Sequence, residues 1–106
     1  YLCTERLLES NPDLDTIICA NDDMAFGSLT CLREYGRRVP EDVQVTGVGD
    51  GSLASISYPA LTTVHFFYRT SGEEAARMLV SLIEEGEKVS KQLLMGYEIM
   101  IRASTR

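Results

Sequence analysis

The chain has 106 residues, 44% of them hydrophobic, and a formal net charge of −6, which suits one modest soluble core and no more. Its Lys and Arg residues are scattered, with Arg37 and Arg38 the only adjacent pair, so it lacks the basic footprint needed to hold nucleic acid by its phosphates. Its apolar runs are far shorter than a membrane span, and no basic segment precedes an apolar one in the manner of a signal peptide.

Leu2, Leu7 and Leu8 among Glu5, Arg6 and Glu9 predict an amphipathic helix from the first residues. With Tyr1 rather than Met at its head, the chain is expected to be a fragment. Asn11, Pro12 and Asp13 mark a loop. Residues 16–20 form a short apolar run with β-branched members, which predicts a strand covered on both faces. Asn21 is placed to cap a helix whose first turn carries Asp22 and Asp23, favourable against the helix dipole, with Met24, Phe26, Leu29, Leu32 and Tyr35 as its apolar face. Gly36 ends that helix.

Residues 39–42 turn the chain into a second β-rich run over 43–48 that closes on Gly49, Asp50 and Gly51. A helical turn over 53–57, then Tyr58, Pro59 and Ala60, leads to a third strand over 61–66. Ser71 as N-cap and Glu74 at N3 fit a capping box for a helix with Ala75, Ala76, Leu79, Leu82 and Ile83 as its buried stripe, before Gly86. The last stretch alternates, with Met95, Tyr97, Ile99 and Ile101 on one face, and reads as a half-exposed closing strand. Cys3, Cys19 and Cys31 have no C-x-x-C spacing, and His65 is the only histidine. They are expected to be reduced core thiols of a cytoplasmic protein, with no metal and no cofactor.

Strands separated by helices predict an α/β architecture with a mainly parallel sheet, in which ligands bind outside the carboxyl ends of the strands. That rule nominates two places, Asn21 and Asp22 after the first strand and residues 49–52 after the second. If the two loops converge, Asp22, Asp23 and Asp50 offer an acid/base pair or Mg²⁺ ligands. Against an enzyme stand the ordinary structural preference of Asp for helix N-termini and the lack of a G-x-S-x-G elbow or a nucleophile beside His65 in sequence. The two G-x-G steps over 47–51 open no long helix, so they read as a tight turn rather than a phosphate cradle.

Three segments then carry a resemblance. Residues 19–27, C-A-N-D-D-M-A-F-G, resemble the A-N-D-x-M-A-x-G segment of regulators of the lac repressor and galactose repressor family. Residues 38–48, R-V-P-E-D-V-Q-V-T-G-V, resemble that family's R-V-P-x-D-(V/I)-x-V-x-G stretch, and residues 59–64, P-A-L-T-T-V, its P-x-L-T-T-(V/I). Gly72 with Ala75 and Ala76, and the ending R-A-S-T over 102–105, extend the likeness over almost the whole chain.

The resemblance implies a doubly wound, mainly parallel α/β fold like that of periplasmic sugar-binding proteins, with two lobes that clasp a small molecule. Residues 1–64 would belong to the C-terminal lobe, 65–68 to a crossover, 69–95 to elements of the N-terminal lobe, and 96–106 to the closing strand and tail. The stripe of the 71–86 helix would then lack its usual cover, so a complementing chain, an altered packing or proteolytic origin is expected.

Asn21 matches the family asparagine that hydrogen-bonds effector hydroxyls, and Asp22 stands beside it. At the family's usual acidic anchor this chain has Gly49, so Asp50 either takes the role or holds the turn. Phe66 stands where many members have a glutamine, and with Phe67 either stacks on a sugar or packs the hinge. Phe26 and the 53–58 segment, with Leu53, Ile56, Ser57 and Tyr58, match positions that meet across a two-fold dimer interface. The implied function is non-catalytic: effector binding, by a sugar or sugar phosphate, and homodimerisation in a bacterial regulator of carbohydrate-use genes, which would meet operator DNA only through a helix-turn-helix head outside these residues. The alternative is an extracytoplasmic sugar-binding protein of a transporter.

Overall fold

The computed structural model describes residues 1–84, 86 and 89–106. Its elements run α1 (Leu2–Ser10), β1 (Thr16–Ile18), α2 (Asp22–Glu34), β2 (Gln44–Val48), β3 (Thr62–Phe66), α3 (Tyr68–Glu84) and β4 (Tyr97–Met100). The four strands form one sheet in the order β1-β2-β3-β4. β1, β2 and β3 are parallel, with Thr16 opposite Gln44 and Val48 opposite Val64. Parallel neighbours require a crossover, and α2 supplies it between β1 and β2. The chain divides into two compact units, one of Tyr1–His65 with Glu98–Arg106 and the other of Phe66–Tyr97.

The first unit holds the core: Leu8, Ile17, Cys19, Ala25, Leu29, Cys31, Leu32, Val43, Val45, Ala54 and Leu61 are buried together. The face that α2 turns inward mixes small side chains with leucines. Ala25, Ser28, Leu29, Cys31 and Leu32 are buried, whereas Met24 and Tyr35, expected on the apolar face, are exposed and Phe26 is only partly covered. The two helices are also joined by a buried hydrogen bond between the Thr4 and Ser28 hydroxyls, 2.8 Å long. α1 accordingly buries Thr4 and Leu8, leaving Leu2, Leu7 and Cys3 outside. The expectation of three core thiols is thus corrected, since Cys3 lies on the solvent side of its helix. Cys31 is sealed, and burial pushes its thiol pKa up.

β1 corrects a second expectation. It is an edge strand in which Ile17 is buried and Ile18 is 81% exposed, because one face alone is covered. α2 ends in a Schellman motif. Gly36 adopts φ 69°, its N–H donates to the Arg33 carbonyl, and the Arg37 N–H donates to the Leu32 carbonyl. Arg38 and Asp42 then brace the turn into β2: the Asp42 carboxylate accepts from the Arg38 backbone N–H at 2.8 Å and from its guanidinium at 2.7 and 3.0 Å. Those donors hold the Asp42 pKa well below the usual carboxylate range.

The tail is stitched into the sheet by Ser104. Its hydroxyl donates to the Val45 carbonyl at 2.6 Å and accepts from the Thr62 N–H at 2.8 Å, while its carbonyl accepts from the Val45 N–H at 3.0 Å. Ser104 is fully buried. Among the described residues, every buried side-chain nitrogen and oxygen has a partner, as a settled core requires.

The second unit is built differently. α3 starts at Tyr68, three residues before the expected cap, and the Ser71 N–H donates to the Phe67 carbonyl at 2.8 Å. Ser71 is therefore inside the helix rather than its N-cap, and Glu74 pairs with Arg77 at 2.5 Å. The proposed capping box is not formed. No residue of α3 is buried, so Ala75, Ala76, Leu79, Leu82 and Ile83 are not a buried stripe within this chain. In β4 and just beyond it, Tyr97, Ile99 and Ile101 are likewise exposed while Met100 and Arg102 are partly covered, the reverse of what apolar alternation predicts.

Candidate functional site

The carboxyl ends of β1 and β2 lead into the two loops nominated above, and the first unit joins them. Asn21 has extended backbone, φ −154° and ψ 172°, and its Oδ1 accepts from the Met24 N–H at 2.9 Å, capping α2. Asn21 is exposed. Its amide nitrogen takes no part in the cap, so one side chain both fixes the helix N-terminus and presents a donor to solvent.

Asp22 behaves in the opposite way. It is 7% exposed, its Oδ1 accepts from Thr63 Oγ1 at 2.6 Å, and its Oδ2 accepts from the Gly51 N–H at 2.8 Å. The carboxylate at the head of α2 is therefore a clasp between the loop after β1, the turn after β2, and β3. Gly47 makes room for it, since a Cβ there would strike Asp22 Oδ1 and approach Leu61 to 3.0 Å.

Asp50 follows β2 with φ 52°, a left-handed conformation uncommon for a residue with a side chain. Local bonds hold it there. Its N–H donates to Thr63 Oγ1 at 3.3 Å, its Oδ2 meets His65 Nδ1 at 3.0 Å, and its Oδ1 accepts from Arg102 Nη2 at 2.6 Å. The Asp50 and Arg102 side chains are 14% and 17% exposed. Charge-assisted bonds of this length, partly shielded from water, are among the stronger polar contacts a protein makes.

The two nominated loops are thus brought together, and Asp22 and Asp50 are both committed to donors inside the unit. Thr63, His65 and Arg102 complete the cluster, although sequence reasoning gave none of them a role here. The signals were faint: a lone histidine at a strand end, and the arginine of the closing R-A-S-T segment. Among the described residues, no group of three or more His, Cys, Asp or Glu is placed to hold a metal ion.

Phe66 is the last residue of β3 and belongs to the second unit, where its ring meets Tyr68 edge-on with centroids 5.9 Å apart. Of the residues matched to a dimer face, Leu53, Ile56 and Tyr58 are exposed, Tyr58 at 95%. The Ser57 hydroxyl is spent within its own turn, on the Ala54 and Pro59 carbonyls. Phe26 packs against the edge of the core. Ser57 and Tyr58 also line a depression of about 740 Å³ with Leu29, Arg33, Val39 and Pro40. Its walls come from the end of α2 and the segments that enter β2 and β3, so it lies at the other end of the strands from Asn21 and Asp50.

Residues 2–105 match the family model of the periplasmic binding protein-like domain. The chain belongs to that family. Within this domain family its likeness is to regulators of the lac repressor and galactose repressor type, in keeping with the three motifs. It is 36% identical over 105 residues to the HTH-type transcriptional regulator RegA of Clostridium saccharobutylicum, a match that covers 99% of this chain and 32% of that relative. Among solved structures, the transcriptional regulator CelR in complex with cellobiose superposes with a TM-score of 0.92 at 36% identity, over 97% of this chain and 32% of CelR. A LacI family regulator from Arthrobacter sp. FB24 in complex with lactose gives 0.88 at 32% identity, over 97% of this chain and 39% of its own. The chain spans about a third of the length of the relatives it matches. No helix among its described residues is long and apolar enough to cross a membrane.

Proposed function

We propose that this chain is the effector-binding and dimerisation part of a bacterial transcriptional regulator of carbohydrate-use genes, acting in the cytoplasm and without catalysis. The observation that carries the reading is the meeting of the β1 and β2 loops through Asp22 and Gly51, with exposed Asn21 capping the helix on one side and Asp50 braced internally on the other. Neutral amide chemistry suits a polyol, which must be met by donors and acceptors together. Asp22 and Asp50 are occupied by internal donors and Asp23 is exposed on the first turn of α2, which favours binding over acid/base turnover. The sugars in the CelR and Arthrobacter structures support a carbohydrate effector.

In this reading residues 1–64 and the tail form one lobe, and residues 69–95 are elements of the other. Asn21 is the principal contact of this lobe. Asp22 positions the turn instead of touching the effector, Asp50 holds the turn's shape, and Phe66 contributes at the hinge. Exposed Leu53, Ile56 and Tyr58, flanked by Phe26 and Ser57, form the face that meets a second copy. Operator DNA is met by a helix-turn-helix segment outside these residues.

The test is a thermal-shift screen of the intact regulator against mono- and disaccharides and their phosphates. Loss of the best hit's shift in Asn21→Ala is the expected result, and an unchanged shift would remove Asn21 from the site. Sedimentation of Tyr58→Asp tests the face: a monomer is expected, and an intact dimer would place the interface elsewhere.

A further inference from the structure

The Asp50 carboxylate bonds to His65, the last residue before the chain leaves the first unit, and to Arg102, which follows shortly after its return. The first unit ends its long segment at His65 and resumes at Glu98. His65 Nδ1 sits 3.0 Å from Asp50 Oδ2, and Arg102, four residues after the return, gives Nη2 to Asp50 Oδ1 at 2.6 Å. Arg102 is itself fixed. Its Nη1 donates to the Leu61 carbonyl at 2.9 Å, and its backbone N–H donates to Thr62 Oγ1 at 2.8 Å. A turn that needed only its own shape would be served by Gly at a left-handed position. Here an aspartate occupies that position and spends one carboxylate oxygen on the outgoing segment at His65 and the other on the returning segment at Arg102.

We propose that Asp50 and Arg102 are positioning residues that tie the effector turn to both crossings, so that a shift of the turn moves the outgoing and returning segments together. This rests on the effector-binding reading, because it takes the turn to be where the effector acts. Asp50 then works through Arg102 and His65 rather than as a direct contact. The neighbouring Asp22 clasp is a separate device, since its donors are Thr63 and Gly51.

The experiment is hydrogen exchange on the intact regulator, wild type against Asp50→Asn, Arg102→Met and Arg102→Lys. Loss of a hydrogen bond to a charged group corresponds to a factor of about ten or more in a local opening equilibrium. Arg102→Met and Asp50→Asn are expected to raise exchange by about that factor in residues 49–52, in 65–68 and in 98–102 together, with the core of α2 unchanged. Arg102→Lys, which keeps the charge but loses the planar fork, should fall between them and wild type. If exchange rises only at 49–52, Asp50 merely holds its turn and the proposal is overturned. It is equally overturned if Asp50→Asn abolishes the thermal shift given by the best disaccharide of the panel while the crossings stay protected, because Asp50 would then be a direct contact. Exchange needs no effector. A regulator whose operator affinity answers to no carbohydrate would therefore sink the effector reading while leaving the measured tie in place.

Discussion

The two units share one chain but differ in what covers them. In the first, eleven apolar residues are buried together; in the second, a 17-residue helix has none. Yet α3 carries the apolar spacing expected of a buried helix, with Leu79, Val80, Leu82 and Ile83 all exposed. An amphipathic pattern specifies which face seeks cover, and the cover is supplied by whatever packs there. The chain's match to about a third of its relatives' length fits a face written for residues elsewhere in such proteins.

The sharpest way to break this contrast is to truncate one leucine in each unit. Leu61→Ala should cost about 2–5 kcal/mol, as large-to-small changes in sealed cores do, whereas Leu82→Ala in this chain should stay within about 0.5 kcal/mol. Urea denaturation of the chain measures both. Repeating Leu82→Ala in the full-length protein should show a cost closer to that of Leu61, and equal small costs in both settings would mean that α3 is never covered. Next in size is Gly47→Ala, which drives a methyl into the Asp22 carboxylate and Leu61; a cost of about 1–3 kcal/mol is expected from such overpacking. A neutral result there would show the clasp to be loose.

The smallest effect concerns Asp42 at the surface. Its pKa is lowered in the folded state, so the bond to Arg38 contributes fully above the unfolded aspartate value near ~3.9 and is lost as pH falls below it. The urea midpoint of Asp42→Asn should therefore lie below wild type at pH 7, begin to close on it below about pH 4, and meet it only as pH falls through the depressed folded value. A gap that stayed constant across that range would mean that the carboxylate charge is not what braces the turn.

What the sequence made legible follows from range. Asn21 as a cap, Gly36 as a helix stop and the turn at 49–51 depend on residues a few positions apart, and the strand-end rule then pointed to two loops that the fold brings together. Arg102 and Asp50 lie 52 residues apart, and nothing in either neighbourhood announces the other. Asp22 misled for a related reason: acidic residues in a first helical turn satisfy the dipole wherever they point, so its inward turn needed Thr63 and Gly51 in place. Ser71 and Glu74 misled because a capping box is only two residues long, and a helix that begins at Tyr68 takes both into its interior. The faces of β1 and β4 went wrong through the missing cover, since apolar alternation names a face to bury without saying what will bury it.

Ser104 also sets the order in which the first unit is completed. Its hydroxyl and backbone join β2 to the start of β3, but it follows the whole second unit in the sequence. β2 and β3 pair with each other from Thr46 and Thr62 onward, but the start of β3 lacks its Ser104 partner until the chain has passed through α3. Such separation in sequence raises contact order and slows folding. The start of β3 is then open to mispairing for as long as the second unit takes to appear, which gives Ser104 a part in the order of folding as well as in the finished sheet.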